Sequence, residues 1–200
     1  MKSNNTALKI VGEMNEKQKK TISKFLSLIL RHNPETIGLR LDTNGWANVE
    51  ELLSKSALHN IPCTKKELEE VVETNDKQRF IFNEDHSQIR ANQGHSIRVD
   101  LNLQSQTPPD FLFHGTVEKF MTPIQSEGLK KMGRQHVHLS RDKETAEKVG
   151  DRRGQAIILV ILSGAMHKDG YDFYLSENGV WLTDNVPVNY INFEKFNSRI

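Results

Sequence analysis

The sequence has one cysteine and no hydrophobic run long enough to cross a membrane, and both features exclude whole classes of protein. Cys63 has no second cysteine to bond, and no Cys/His cluster has zinc-ligand spacing, so neither disulfides nor a metal should hold the fold. The longest apolar run, residues 156–162, is far shorter than the roughly 18 residues of a membrane-spanning helix. Residues 1–16 are polar and contain no hydrophobic signal core. We therefore expect a cytoplasmic protein without membrane association.

Net charge is also nearly absent. The chain carries 27 Lys and Arg against 26 Asp and Glu, a formal net charge of +1. Any anion site must therefore be built from placed arginines rather than from bulk charge. The sequence also lacks the GxGxxG and GxxxxGK[ST] phosphate loops, which excludes Rossmann and P-loop sites. With 36% hydrophobic and 26% charged residues, the composition is that of a globular chain.

The first half of the chain shows a helical pattern followed by a hairpin. Apolar residues of the segment 17–32 recur at the spacing of one helix face, and Pro34 should end that helix by disfavouring helical geometry at Asn33. Asn48 and Thr64 each precede a glutamate by three residues, as in capping boxes of two further helices. Residues 79–82 and 88–91 flank a polar segment, which is typical of a β-hairpin. Three helices and a hairpin suggest a winged-helix module.

A domain boundary is predicted between the two halves. Residues 100–110 lose periodicity and end in Pro108-Pro109, a stiff and extended pair. Beyond these residues, the hydrophobic pattern predicts strands and helices in alternation. The predicted strands are 111–114, 136–140, 156–162 and 180–183, and the predicted helices are 117–127 and 142–149. The expected fold class is therefore α+β. The predicted organisation is an extension over residues 1–16, a first lobe over 17–99, a linker over 100–110 and a second lobe over 111–200.

Several motifs concentrate polar groups that could bind an anion. Arg31-His32 closes the first helix, where basic residues are also favoured simply by the helix dipole. Residues 89–96 place Arg90 and four other polar side chains around one glycine, either as an anion site or as a polar surface turn. The strands ending in His114 and carrying His138 favour a ligand pocket, and no carboxylate or cysteine stands beside them at metal-ligand spacing.

Taken in order, the motifs resemble those of the NAD-dependent RNA 2'-phosphotransferases, the tRNA 2'-phosphotransferases of eukaryotic splicing. The resemblance spans roughly residues 20–188, and the ordered series is far more specific than any one member. The motifs are SKFLS (23–27), LRHNP (30–34), GWA (45–47), RF (79–80), IRANQGHS (89–96), FHGT (113–116), GRQHVHLS (133–140) and ENGVWL (177–182).

The resemblance implies a winged-helix N-terminal lobe joined to an ADP-ribosyltransferase-like mixed α/β lobe that binds NAD+. It implies removal of an internal 2'-phosphate from a tRNA-like RNA, with NAD+ consumed, no metal and no obligate protein partner. The intermediate is an ADP-ribosylated 2'-phospho-RNA. The products are 2'-hydroxyl RNA, nicotinamide and ADP-ribose 1'',2''-cyclic phosphate.

The family's site residues carry over to this sequence by position. The catalytic tetrad falls on Arg31, His32, Arg90 and Arg152, with Arg153 as the alternative for the fourth position. The residues implied for NAD+ binding are His114, Gly115, Thr116, His138, Ser140 and Val180. Val180 stands where other ADP-ribosyltransferases have a catalytic glutamate. Because the tetrad draws on both lobes, we expect the site in a cleft between them.

Two other functions remain open at this point. One is an ADP-ribosyltransferase that modifies a terminal phosphate or another phosphorylated group and stops at the adduct. The other is a winged-helix DNA-binding regulator with a ligand-sensing lobe. The nearly neutral N-terminal half argues against the regulator, since binding the DNA backbone normally needs several clustered Lys and Arg.

Overall fold

The computed structural model describes residues 14–193, which form an α+β fold of short helices and antiparallel sheets. Within that range, no helix has the length and apolarity needed to cross a membrane. The α-helices are α1 (Glu16–Arg31), α2 (Val49–Leu58), α3 (Lys65–Glu73), α4 (Met121–Glu127), α5 (Lys143–Gly150) and α6 (Ser163–Lys168). Three short 3-10 helices span Pro34–Ile37, Glu118–Phe120 and Val188–Tyr190.

The strands are short and fall into four small sheets. They are β1 (Ala47–Asn48), β2 (Phe80–Phe82), β3 (Gln88–Ala91), β4 (Leu112–Thr116), β5 (Leu129–Lys130), β6 (Val137–Leu139), β7 (Ile157–Ile161), β8 (Tyr174–Leu175), β9 (Trp181–Thr183), β10 (Asn185–Val186) and β11 (Ile191–Asn192). The strand orders are β1-β3-β2, β10-β5, β11-β7-β4 and β6-β9-β8. An antiparallel bridge between Phe113 and Ser140 brings β4 beside the end of β6.

Local sequence signals start and stop the helices of the first half. Asn15 and Gln18 form a reciprocal capping box at the start of α1, and Thr64 and Glu67 do the same for α3. Asn48 caps α2 by accepting from the backbone nitrogen of Glu51. The predicted first helix, its buried face and its end before Pro34 are thus confirmed. Asn15 and Glu16 belong to α1, and residues 1–13 of the predicted extension lie outside the described range.

The predicted hairpin of the first half is also confirmed. Phe80–Phe82 pairs antiparallel with Gln88–Ala91, and β1 adds to the other edge of β3 through Ala47 and Ile89. This small sheet packs with α1 and α3 around a core that includes Leu26, Leu30 and Leu68. Arg31 follows the buried Leu30, and Arg90 follows the buried Ile89. Because the buried neighbours are held in the core, the backbone positions from which both arginine side chains extend are fixed.

The second half encloses its own hydrophobic core. The longest pairing joins β4 to β7 over five residue pairs, from Leu112 with Ile161 to Thr116 with Ile157. Leu112, Leu159 and Ile161 of this pair are fully buried, together with Phe173 and Met166. The two hydrophobic clusters draw on residues 14–91 and 112–193 respectively.

Hydrogen bonds join the two halves close to the motifs. The backbone nitrogen of Gln135 donates to the His95 carbonyl at 3.1 Å, and the Gln135 side chain donates to the Val99 carbonyl at 2.8 Å. The Asn178 side chain donates to the Lys77 carbonyl at 2.8 Å. These bonds align the polar segment after β3 with β6 and with the turn before β9.

Two features of the second half differ from the sequence prediction. The helix predicted over 117–127 is a 3-10 turn followed by α4, which begins at Met121. Pro123 explains this start, since proline lacks an N–H and fits only in the first turn of a helix. Helix α6 and the two-residue strands β5, β8, β10 and β11 were not predicted. Segments this short contain too few residues to show a period.

Gly115 lies where helix α5 approaches strand β4. A Cβ atom at this position would be 1.8 Å from the Ala146 carbonyl oxygen and 3.0 Å from the Gly150 backbone nitrogen. Both are backbone atoms, so they cannot rotate away. The helix that precedes the Arg152 loop therefore packs against the strand that carries His114 only because residue 115 has no side chain.

We predict that Gly115→Ala destabilises the fold by at least about 2 kcal/mol, because the new methyl group overpacks the contact between α5 and β4. The melting temperature should fall by about 4 to 8 °C for a chain of this size. Thermal unfolding followed by circular dichroism measures the effect. Gly133→Ala is the matched control, because a Cβ there meets no atom within 4 Å. Equal melting temperatures for both variants would contradict the packing argument.

Candidate functional site

Arg31 and His32 lie at the C-terminal end of α1 and point to different partners. The Arg31 Nη2 atom donates to the Arg79 carbonyl at 3.2 Å, and its guanidinium lies 5.6 Å from the Phe80 ring centroid. His32 Nδ1 lies 2.9 Å from Ser96 Oγ, and the Ser96 backbone nitrogen donates to the Arg31 carbonyl at 2.9 Å. The end of α1 is thereby fastened to the segment after β3.

The end of β3 and the segment after it supply a second set of polar groups. The Arg90 guanidinium lies over the Trp46 ring, 4.6 Å from its centroid. Asn92 is buried, donates from its side chain to the Gln78 carbonyl at 2.6 Å, and donates from its backbone to the Arg79 carbonyl. His95 is completely buried, and a Cβ placed on Gly45 would lie 3.6 Å from its Nε2 atom.

These two sets hold the buried polar atoms whose hydrogen bonds are unmet. Within residues 14–193, the buried side-chain atoms without a protein partner are Arg31 Nε, Arg90 Nε, Asn92 Oδ1, His95 Nδ1 and His95 Nε2. An unpaired buried polar group destabilises a protein by roughly 1–3 kcal/mol, so such groups are rare and rarely cluster. Their concentration after α1 and β3 indicates a site shaped for a polar ligand.

Gly94 lies between the two halves of this site. A Cβ atom on Gly94 would be 3.6 Å from Arg31 Nη1 and 3.8 Å from His138 Cε1. Beside the bare glycine, at φ +87°, an arginine of the first half and a histidine of the second therefore approach the same point.

The second half contributes two histidines and an arginine. His114 Nδ1 lies 3.0 Å from the His138 carbonyl oxygen, and Arg134 Nη1 lies 2.7 Å from His138 Nδ1. Burial lowers the pKa of His138 to about 3, with smaller effects from Arg134 and Arg31, and burial also lowers the pKa of His114. Both imidazoles are therefore neutral near pH 7.

The electrostatics of the whole site are one-sided. Burial and the charges of Arg79 and Arg134 lower the pKa of Arg31 to about 10, and burial followed by Arg31, His32 and Arg90 lowers that of His95 to about 4. Within residues 14–193, no ion pair includes any of the arginines at this site. Half-buried cations such as Arg31 and Arg90, without a carboxylate, provide a field and rigid donors suited to an anion such as phosphate.

The positions of the remaining residues implied for NAD+ binding do not indicate what they bind. Thr116 is buried at the end of β4, and Gly115 is covered by α5. The backbone of Ser140 exchanges two hydrogen bonds with Phe113, and the Val180 backbone nitrogen donates to Ser176 Oγ at 3.0 Å. None of these contacts assigns a ligand, so their roles stay predictions.

Arg152 and Arg153 share an exposed loop after α5. Arg152 forms an isolated bridge with Gly154. The Arg153 guanidinium lies 5.8 Å from the Phe120 ring centroid, and its charge contributes to lowering the pKa of His114 and of Arg134. Of the two loop arginines, Arg153 is thus the one whose charge affects the pKa of His114 and of Arg134.

Three residues of the site were not among those assigned from the sequence. His95 and Asn92 lie in the motif 89–96, but no spacing rule shows that they are buried without partners. Arg134 lies four residues before His138 in a loop, where the sequence alone does not bring two side chains together. Among the described residues, no three His, Cys, Asp or Glu side chains form a group able to hold a metal ion.

The arrangement is suited to an anionic ligand and draws on both halves of an α+β chain. A family model described as "RNA 2'-phosphotransferase, Tpt1 / KptA family" matches residues 17–185. The chain belongs to this family, and it is accordingly a transferase.

Relatives from several bacteria agree with that assignment, and each bears the name probable RNA 2'-phosphotransferase. The protein of Flavobacterium johnsoniae is 62% identical over 188 residues, which are 90% of this chain and 100% of that protein. The protein of Acaryochloris marina is 54% identical over 88% of this chain and 97% of its own length. The protein of Burkholderia pseudomallei is 53% identical over 86% of this chain and 93% of its own length.

The lowered pKa of His95 predicts a specific loss of stability in acid. Between its ordinary pKa of 6.5 and its folded pKa of about 4, the unfolded chain binds a proton that the folded chain does not. The free energy of unfolding should therefore fall as the pH falls through this window. His95→Gln should lose about 2 kcal/mol less than the parent between pH 7 and pH 5. Urea unfolding at the two pH values measures the difference.

His59→Gln provides the control for this experiment. His59 is exposed and remote in sequence from the site, so its replacement should leave the pH dependence of the parent unchanged. If His95→Gln and the parent lose the same free energy of unfolding, His95 is not held neutral by its surroundings.

Proposed function

We propose that this chain is an NAD-dependent RNA 2'-phosphotransferase that removes an internal 2'-phosphate from RNA. The products would be RNA with a free 2'-hydroxyl, nicotinamide and ADP-ribose 1'',2''-cyclic phosphate. The observation that carries the proposal is the cluster around Arg31, Arg90 and His95. Among the described residues, four buried nitrogens of this cluster have no protein partner, and its arginines pair with no carboxylate. Family membership supplies the substrate class that such a cluster would bind.

The proposed domain division is a winged-helix lobe over residues 17–99, a linker over 100–110 and an ADP-ribosyltransferase-like lobe over 111–200. The separate hydrophobic clusters of residues 14–91 and 112–193 support two lobes. Three helices followed by the β2–β3 hairpin support the winged-helix assignment. The approach of Arg31 and His138 to the same point beside Gly94 supports a site in the cleft between the lobes.

In the first proposed step, an oxygen of the RNA 2'-phosphate attacks the anomeric carbon of the nicotinamide ribose. A carbon–oxygen bond forms, the bond to the nicotinamide nitrogen breaks, and neutral nicotinamide leaves with the electron pair. A phosphate dianion is already a nucleophile, so no carboxylate base is required. This agrees with the presence of Val180 rather than a glutamate at the corresponding position. Arg31 and Arg90 would align the phosphate.

In the second proposed step, the ribose 2''-hydroxyl oxygen attacks the phosphorus atom. The bond between phosphorus and the RNA 2'-oxygen breaks, and the proton lost by the 2''-hydroxyl ends on the RNA 2'-hydroxyl. Negative charge concentrates on the phosphorus oxygens, where preorganised arginine donors stabilise it. His32, whose pKa is lowered first by burial and then by Arg31, is a neutral imidazole able to accept that proton.

The residues present fit NAD+ as the second substrate. When bound, NAD+ would supply the electrophilic anomeric carbon and the leaving group. The cations of the site suit its pyrophosphate, and His114, held by the His138 carbonyl, keeps its Nε2 atom available as an acceptor. Thr116, Ser140 and the backbone at Gly115 and Val180 would complete the pocket.

One assay tests the proposed function directly. RNA carrying a single internal 2'-phosphate is incubated with NAD+ and EDTA, and the products are separated. We expect nicotinamide, dephosphorylated RNA and the cyclic phosphate in equal amounts, and activity undiminished by the chelator. A stable ADP-ribosylated adduct would instead identify an ADP-ribosyltransferase without the second step. Tight, salt-dependent duplex binding without NAD+ consumption would identify a DNA-binding regulator.

Arg31→Ala and Arg90→Ala should each lower turnover at least about a hundredfold, since a preorganised donor contributes roughly 3–4 kcal/mol to transition-state stabilisation. Their melting temperatures should not fall, because each change removes a half-buried cation that has no carboxylate partner among the described residues. Initial rates and thermal unfolding are measured on the same preparations. The exposed Arg40 provides the control, and Arg40→Ala should keep parental activity. A variant that unfolds would show that its arginine is structural.

The loop arginines should act mainly on the second step. In the first step opposite charges are partly neutralised, while in the second step negative charge accumulates on the phosphorus oxygens and an additional donor matters more. We expect Arg152→Ala to accumulate ADP-ribosylated RNA before any cyclic phosphate forms. A gel time course with labelled RNA shows the intermediate as a transient, slower band.

Arg153→Ala, made alongside, decides which loop arginine acts. Arg153 is the one whose charge reaches His114 and Arg134 in the structure. If only Arg153→Ala produces the slower band, the fourth tetrad position belongs to Arg153. If both variants slow the two steps equally, neither arginine acts selectively on the second.

A further inference from the structure

The contact between Arg134 and His138 bears on which nitrogen of the His138 ring carries the proton. Arg134 Nη1 lies 2.7 Å from His138 Nδ1, within the range of a charge-assisted hydrogen bond. A guanidinium has five N–H donors and no acceptor, and it stays protonated in proteins. In this hydrogen bond His138 Nδ1 must therefore be the acceptor.

A neutral imidazole carries its proton on only one of its two nitrogens. Since Nδ1 accepts from Arg134, the His138 proton resides on Nε2, and Nε2 becomes a hydrogen-bond donor. His138 is neutral because burial, together with the charges of Arg134 and Arg31, lowers its pKa to about 3. Protonation of the ring would place an N–H against the guanidinium and break the contact.

His114 has the opposite tautomer. Its Nδ1 atom lies 3.0 Å from the His138 carbonyl oxygen, which can only accept, so the His114 proton is on Nδ1 and its Nε2 is an acceptor. The two neighbouring histidines thus offer one donor and one acceptor on their outer nitrogens. Such a pair is complementary to a hydroxyl group, which both donates and accepts.

The His138 ring also faces the cationic half of the site. A Cβ on Gly94 would touch both His138 Cε1, at 3.8 Å, and Arg31 Nη1, at 3.6 Å. Cε1 lies between the two ring nitrogens. The Nε2 donor is therefore close to the place where Arg31 would bind an anion, while Arg134 occupies the other nitrogen.

Backbone hydrogen bonds hold the loop that carries Arg134 in the position needed for this contact. Its nitrogen donates to the Lys131 carbonyl at 3.0 Å, and the backbone nitrogen of the following Gln135 donates to the His95 carbonyl at 3.1 Å. The loop between β5 and β6 is thus closed on itself and tied to the first half at the residue next to Arg134.

We propose that Arg134 is a positioning residue that locks His138 as an Nε2–H donor for a sugar hydroxyl or phosphate oxygen of the bound nucleotide. His138 then acts as an uncharged donor and not as a proton acceptor. The identity of the nucleotide as NAD+ rests on the proposed function. The tautomer itself is a property of the free protein.

Nitrogen-15 NMR of the histidine rings tests the tautomer at pH 7 without any ligand. The parent should show His138 with protonated Nε2 and unprotonated Nδ1, and Arg134→Ala should show a mixture of both tautomers. Lys130→Ala removes a positive charge from β5, directly before the same loop, and should leave the parental pattern. A parental His138 protonated at Nδ1, or an unchanged tautomer in Arg134→Ala, would overturn the proposal.

Calorimetric titration with NAD+ tests the consequence for binding. Arg134→Ala should weaken binding about three- to tenfold, the value of one neutral hydrogen bond, while Arg134→Lys, which keeps a donor-only cation, should restore part of it. Binding unchanged in Arg134→Ala would also overturn the positioning role. If the parent shows the expected tautomer but binds no NAD+, the proposed function fails and the tautomer assignment stands.

Discussion

Half-buried positive charge that pairs with no carboxylate among residues 14–193 is the constraint on which the rest of this structure depends. Arg31 and Arg90 each leave a nitrogen unpaired, and the completely buried His95 beside them leaves two. A fold tolerates such groups only when other contacts outweigh their free-energy penalty. Here the hydrophobic cluster of α1, α3 and the β2–β3 hairpin supplies those contacts, and it fixes the ends of α1 and β3 from which both arginines extend.

The same one-sided electrostatics explain why histidines can serve as neutral groups in this site. Burial is the largest cause of the lowered pKa of His32, His95, His114 and His138, and neighbouring arginines act in the same direction. Neutral imidazoles next to unpaired guanidinium groups let the site separate two tasks. In the function proposed above, the arginines would provide the charge that binds phosphate. The histidines would provide directed donors and acceptors, with tautomers set by Arg134 and a backbone carbonyl.

Much of the fold could be predicted from local patterns, and most of the failures share one cause. The face of α1, the cap at Thr64 and the hairpin of Phe80–Phe82 with Gln88–Ala91 follow from periodicity and capping, which act within a few residues. The two-residue strands and α6 follow from packing against distant elements. The late start of α4 could have been read from Pro123, whose missing N–H restricts it to a first turn.

The sequence by itself determined the family and the α+β class, because ordered motifs over most of the chain are highly specific. It also placed Arg31 and His32 at the end of a helix and Arg90 on a strand. Only the tertiary structure brought Arg31 and His138 together beside Gly94 and placed Arg134 against His138. It also showed that His95 is buried without a partner and that Gly115 lies beneath α5. Burial, pairing and tautomer depend on atoms contributed from distant parts of the chain, and no local pattern of residues contains them.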